Sequence, residues 1–201
     1  MEWLLDLDTQ LLLAINGWHS PVADKVMLFF SSVPVWIPLF IAIALLFFDT
    51  RWQSYKSDSV SFWIVGFFSV LSVGICFGLC DQVSVFIKVS VQRFRPGHEP
   101  ALEGLVRLLE GRGGSYGFVS SHAANTFGLA TLTSLIFRKK PFAVAIFTWA
   151  AVVSYSRVYL AKHYPLDVIC GAFLGIALAI SVYQVWKYAL LKYEMYRRQR
   201  A

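Results

Sequence analysis

The run SVSFWIVGFFSVLSVGICFGLC, residues 59–80, carries no charged side chain from end to end. About 20 helical residues, at about 1.5 Å each, cross the ~30 Å apolar core of a bilayer, and a helix satisfies its own backbone where no water is present. Four more uncharged runs flank it: Val26–Phe48 before, then Ser115–Phe137, Pro141–Ser156 and Val168–Trp186 after. Together they predict an all-α fold, an integral membrane helical bundle of about five transmembrane helices. Pro34 and Pro38 are placed to kink the first of these.

The composition agrees. A chain of 201 residues that is 57% hydrophobic and 15% charged, with a mean hydropathy of +0.59, is not disordered and is a poor candidate for a soluble globule. The net charge of +6 argues for no nucleic-acid partner, because the cations punctuate apolar runs instead of clustering on one hydrophilic face. Cys76, Cys80 and Cys170 all lie in apolar stretches, an odd set without neighbouring histidines, and read as buried thiols, neither a disulfide framework nor a zinc site.

The first 25 residues do not read as a sixth span. Asp6, Asp8, Asp24 and Lys25 interrupt them, Gly17 to Pro21 reads as a turn, and the start Met1-Glu2-Trp3 lacks the basic region of a secretory signal. Trp3, Leu4, Leu7, Leu11, Ala14 and Ile15 share one helical face, so Trp3 to Ile15 reads as an amphipathic helix lying in the membrane interface or packed on the bundle's rim. Residues 1–201 are read as a single membrane-embedded domain, with 1–25 as interfacial helix and turn and 187–201 as a basic cytoplasmic tail that binds anionic headgroups.

Orientation follows from the loops. Arg51 and Lys56, Arg138 to Lys140 and the tail from Lys187 to Arg200 form compact basic segments at helix ends, countered only by Asp49, Asp58 and Glu194. The positive-inside rule places that side, and the C-terminus, in the cytoplasm. Alternation of five spans then brings four helix ends to the opposite face. They carry Lys88 and Arg95; Ser120, Ser121 and His122; Arg157; and His163 with Asp167.

Those residue types suit phosphoryl transfer. The reaction spreads charge over three equatorial oxygens, which fixed cations and N–H donors stabilise; at an effective dielectric of about 20, each cation at about 4 Å contributes roughly 4 kcal/mol before desolvation. The glycine-rich stretch from Gly111 to His122 opens the third run, where free amides and the positive end of a helix dipole make an anion seat. Pro165 is suited to the first position of the fifth helix, which puts Asp167 in its first turn, beside His163. A carboxylate there fixes the imidazole tautomer and leaves the other nitrogen as a nucleophile.

Lys88, six residues, Arg95-Pro96; then Ser120-Ser121-His122; then Ser156-Arg157, five residues, His163, three residues, Asp167: this pattern resembles the three-part signature of the type 2 phosphatidic acid phosphatase family, which includes the vanadium-dependent haloperoxidases. The second part departs from it, reading Val119-Ser120-Ser121-His122 where the family has Pro-Ser-Gly-His. The resemblance spans roughly residues 60 to 185. It implies that His163, oriented by Asp167, attacks phosphorus, that His122 protonates the leaving oxygen and then activates water, and that Lys88, Arg95, Arg157, Ser120 and the amide of Ser121 hold the phosphoryl oxygens. No metal or other cofactor is implied, and orthovanadate is expected to inhibit.

The expected substrate is a lipid phosphate or diphosphate in the bilayer, met at headgroup level at the outer face of a bacterial inner membrane, with no obligatory protein partner. Undecaprenyl diphosphate and phosphatidylglycerophosphate come first, with lipid A as the alternative. A transporter would hold polar groups near mid-membrane, and the five runs are nearly devoid of them. A catalytically silent lipid-binding relative would lack His122, His163 or Asp167, and all three stand. Glu99, Glu103 and Glu110 read as solvating the outer loop.

Overall fold

The computed structural model describes residues 2–57 and 60–200. Met1, Asp58, Ser59 and Ala201 lie outside that range, and with them the first residue of the 59–80 run and one acid of the cytoplasmic charge count. The described residues form seven α-helices and no strand: α1 Glu2–Gly17, α2 Pro21–Ser31, α3 Ile37–Leu46, α4 Phe62–Val91, α5 Ser121–Phe137, α6 Lys140–Tyr159 and α7 Pro165–Arg198.

Three of these, α4, α6 and α7, are long and apolar enough to cross a membrane, or four crossings exist if α2 and the segment Val33–Leu46 count together. The run Val26–Phe48 is therefore interrupted, bent by 69° between its halves. Ser32 sits at the break in extended conformation, a 3-10 turn over Val33–Trp36 follows, and Pro34 and Pro38 open the two helical segments beyond it. Proline has no N–H to donate and disfavours helix in the residue before it, so two prolines at this spacing interrupt one helix and start another.

The run 115–137 gives a helix only from Ser121, and at 17 residues α5 is the shortest of the core helices. It lies at the centre, against α4, α6 and α7, with eleven of its residues buried. Lipid tails are as apolar as leucine, so helices in a bilayer associate through close packing of small residues. The α5–α7 seam uses that rule: a Cβ added to Gly171 would lie 2.5 Å from the Ser120 carbonyl oxygen, and one added to Gly175 would lie 2.1 Å from that of Ala124. α4 and α7 outrun their apolar stretches. The basic tail is a continuation of α7 to Arg198, and at about 1.5 Å per residue this helix is roughly 50 Å long, well beyond the ~30 Å apolar layer.

α1 packs on the bundle's rim, against α6 and α7, with one polar row, Asp8 and Asn16, turned inward beside Leu12. Asp8, Leu12 and Asn16 are buried, whereas Trp3, Leu7 and Leu11 are 69%, 43% and 44% exposed. Most of the apolar stripe read from the sequence thus faces outward, whereas Ile15 at its end packs against the core. Leu12 joins Leu102, Val158, Ala161, Tyr164 and Val168 in a small core beneath the outer loop.

Candidate active site

α4 stops at Gln92, whose left-handed φ of 54° turns the chain back. Residues 93–95 then run antiparallel to 115–117: Gly117 N–H donates to Arg93 O at 2.8 Å, and Arg95 N–H to Ser115 O at 2.9 Å. Arg95 Nε donates to Tyr116 O at 3.1 Å, fixing the guanidinium. Gly117 lies so close that a Cβ would sit 2.9 Å from Asp167 Oδ2 and 3.5 Å from His163 Nδ1. Gly113, at φ +73°, is equally confined, with Arg95 Nη1 2.7 Å from a Cβ built there. The glycines are where the outer loop presses on the charged residues.

Ser120 caps α5. Its Oγ accepts from Ala123 N, its own N–H donates to Asp167 O at 2.9 Å, and it is fully buried. Its hydroxyl caps the helix end as an acceptor, which leaves its O–H as a donor. No loop or cap hydrogen bond takes the amides of Ser121 and His122 among the described residues, and they remain as donors at the helix N-terminus. Ser121 Oγ accepts from Lys88 Nζ at 2.5 Å and lies 2.7 Å from Ser84 Oγ. The His122 ring stands edge-on to Trp36, centroids 5.7 Å apart.

At the far end of α6, Arg157 donates to Ser31 Oγ and lies 3.6 Å from Glu110 Oε2. The tight turn after α6 folds His163 N–H onto Arg157 O at 3.2 Å, and Pro165 starts α7 as the sequence predicts. Asp167 then sits in the first turn with Oδ2 accepting from Tyr164 N–H at 3.1 Å. His163 Nδ1 lies 3.4 Å from that same oxygen but makes no aligned hydrogen bond. The proximity foreseen is present, whereas the hydrogen bond is not formed. Burial pushes the His163 imidazole well below its ordinary pKa, with repulsion from Arg95, Arg157 and Lys88 adding to it. Neutral imidazole is the nucleophilic form.

Arg95, Ser121, His122, Arg157 and His163 line one end of a cavity of about 790 Å³. The rest of its wall is mostly apolar, formed by residues such as Trp36, Phe40 and Phe47 on one side and Val70, Val73 and Phe77 of α4 on the other. Lys88 reaches this end through Ser121, and Asp167 and Ser120 stand behind it. Among the described residues, no group of three or more His, Cys, Asp or Glu is placed to hold a metal ion.

Four participants were not foreseen. Arg93 bridges Asp8 and Asp167, at 2.7 Å to each. Glu110, read as a solvated loop acid, stands between Arg157 and Lys162, at 3.6 and 3.7 Å. Lys162 also donates to the carbonyls of Glu110 and Gly111, both at 3.0 Å, and its burial lowers its pKa. Nothing in the sequence set them apart: Asp8 is one of three acids on α1, with Glu2 and Asp6.

Residues 67–190 match the PAP2 superfamily, and the chain belongs to it, as an integral membrane phosphatase. It is 37% identical over 178 residues to the lipid A 4'-phosphatase of Bacteroides thetaiotaomicron, covering 87% of this chain and 75% of that protein. The lipid A 4'-phosphatase of Porphyromonas gingivalis is 36% identical over 191 residues, 94% of this chain and 77% of the relative. The crystal structure of Aquifex aeolicus LpxE superposes with a TM-score of 0.68 at 25% identity, over 89% of this chain and 95% of that one.

Proposed function

We propose that this phosphatase removes a phosphate from lipid A, at the outer face of a bacterial inner membrane. The observation that carries the reading is the two-part cavity, with cations and two histidines at one end and, apart from the hydrogen-bonded pair Asp81 and Asn125, mostly apolar side chains along the rest. A phosphate reaches the charged end while acyl chains stay among the helices. The preference for lipid A over undecaprenyl diphosphate and phosphatidylglycerophosphate, which the sequence reading put first, rests on the two relatives of 37% and 36% identity.

In this reading His163 presents Nε2 to phosphorus, since Nδ1 faces Asp167. The N–P bond forms as the P–O bond to the lipid breaks, and His122 gives a proton to the departing oxygen. His122 then takes a proton from water, whose oxygen attacks the phosphohistidine and releases inorganic phosphate with His163 restored. Lys88, Arg95, Arg157 and the amides of Ser121 and His122 hold the equatorial oxygens, and Ser120 serves by capping the helix that presents those amides. The basic segments on the cytoplasmic side support the outward orientation.

The test is phosphate release by purified protein, with chelator present, from lipid A, undecaprenyl diphosphate and phosphatidylglycerophosphate, with products read by mass spectrometry. The expected result is fastest release from lipid A. Release from the polyprenyl lipid alone would refute the substrate, and release from none would refute the activity.

A further inference from the structure

We propose that Asp8 and Arg93 are positioning residues that hold Asp167 in register with His163. The inference rests on the phosphatase reading above. α1 lies outside the residues that match the family, 67–190, yet it sends a buried carboxylate to the N-terminus of α7. Asp8 Oδ1 accepts from Leu166 N–H at 2.8 Å, in the first turn of that helix, and Oδ2 accepts from Arg93 Nη2 at 2.7 Å. The other arm of the same guanidinium, Nη1, donates to Asp167 Oδ1 at 2.7 Å. Beneath it the Tyr164 ring stacks, 3.9 Å from Cζ. The remaining oxygen of Asp167 is the one that lies 3.4 Å from His163 Nδ1.

Two features say that this chain of charges does more than attach a helix. Buried ion pairs stabilise weakly, because desolvation offsets their attraction, and α1 has an apolar anchor in Leu12, which is fully buried. The contacts of Asp8 are also specific. One oxygen fixes the turn from which Asp167 projects, and the other shares the guanidinium charge, so that Asp167 is only partly neutralised and keeps negative potential for the imidazole as it becomes cationic during attack. A planar guanidinium forks between two carboxylates, which an ammonium group cannot reproduce. None of Asp8, Arg93 and Asp167 lines the cavity, so their loss acts on turnover and not on substrate contacts.

Asp8→Asn keeps an acceptor for Leu166 N–H and removes the charge; Arg93→Lys keeps the charge and removes the fork. Both are assayed for phosphate release from whichever of the three lipids the wild type cleaves, with kcat counted per vanadate-binding site so that unfolded protein does not contribute. Each variant is expected to lose about 10- to 100-fold in kcat, by analogy with the loss of a hydrogen-bond partner that orients a metal-ligating histidine, with KM and vanadate inhibition within about twofold. Leu12→Ala is the structural control: a lower melting temperature with kcat per site unchanged. Wild-type kcat in Asp8→Asn overturns the proposal, as does a loss that Leu12→Ala matches at equal melting temperature. Failure of both charge variants to fold while Leu12→Ala folds assigns the cluster to stability and overturns it as well. A wild type that cleaves none of the lipids defeats the phosphatase reading instead.

Discussion

The bundle is held together by opposite means at its outer end and along the length of α5. At the outer end Asp167, Arg93 and Asp8 form one buried chain of charges, and Arg157, Glu110 and Lys162 form another. Further in, Gly175 meets the Ala124 backbone, and Gly128 meets Cys76 and Cys80, with no charge involved. Close packing stabilises helices in lipid without desolvating an ion, so the inner seam is the inexpensive way to hold a bundle. Buried charges cost several kcal/mol each before pairing, and among the described residues they are confined to the end that carries His122 and His163. Chemistry and cohesion are therefore carried by different residues, and each can be broken alone.

The largest effect is expected at the charged end. His163→Gln removes the proposed nucleophile while keeping a side chain of similar reach, and kcat should fall by about 10⁴-fold or more, the scale seen when a covalent nucleophile is lost. The melting temperature should move little. Retained turnover in a phosphate-release assay would transfer the nucleophile's role to another residue.

The inner seam should respond the other way round. A methyl at Gly175 has to push apart two backbones, and overpacking of this kind costs about 1–3 kcal/mol. Gly175→Ala should therefore unfold earlier in a detergent or thermal titration, with kcat per folded molecule within about twofold. An unchanged melting temperature would show that the seam has slack.

Acid brings the two regions together. The folded imidazole of His163 resists protonation, whereas in the unfolded chain it takes a proton as pH falls through about 6.5. Below that value the unfolded state binds the extra proton, so stability declines with falling pH, by up to about 1.4 kcal/mol per unit for this group. At higher pH the contribution is constant. Melting curves from pH 7 downward should show a smaller decline in His163→Gln than in the wild type, and equal slopes would remove His163 from the account.

The sequence made the charged end more readable than the means of holding it. The uncharged runs located α4, α6 and α7, because length and apolarity alone decide whether a helix crosses a bilayer. Alternation of helix ends then placed Lys88, Arg95, His122, Arg157, His163 and Asp167 at one end, although residues from 88 to 167 are involved. The 69° break was visible only as Pro34 and Pro38, and a proline marks an interruption without giving its angle. The inward side of α1 was not visible at all. A hydrophobic stripe on a soluble protein's helix points to the core, whereas here most of it points outward and the buried side carries Asp8 and Asn16 beside Leu12. The bridge from Asp8 through Arg93 to Asp167 joins residues 85 and 74 positions apart, and nothing local in the chain signals such a partnership.

The smallest effect tests how far the charged end is prepared for its ligand. Glu110 is partly exposed and lies 3.6 Å from Arg157 and 3.7 Å from Lys162, the position of a counter-ion that an incoming phosphate replaces. With Glu110→Gln, Arg157 no longer divides its attraction between a carboxylate and the ligand. Partly exposed pairs contribute about 0–1 kcal/mol, which corresponds to no more than about a fivefold change in affinity. Vanadate should therefore inhibit phosphate release by Glu110→Gln at a concentration about two- to fivefold lower than for the wild type. Weaker inhibition would give Glu110 the opposite role: its contacts with Arg157 and Lys162 would then matter chiefly for keeping the outer loop closed over the cavity, and the charged end would depend on that loop as the inner seam depends on its glycines.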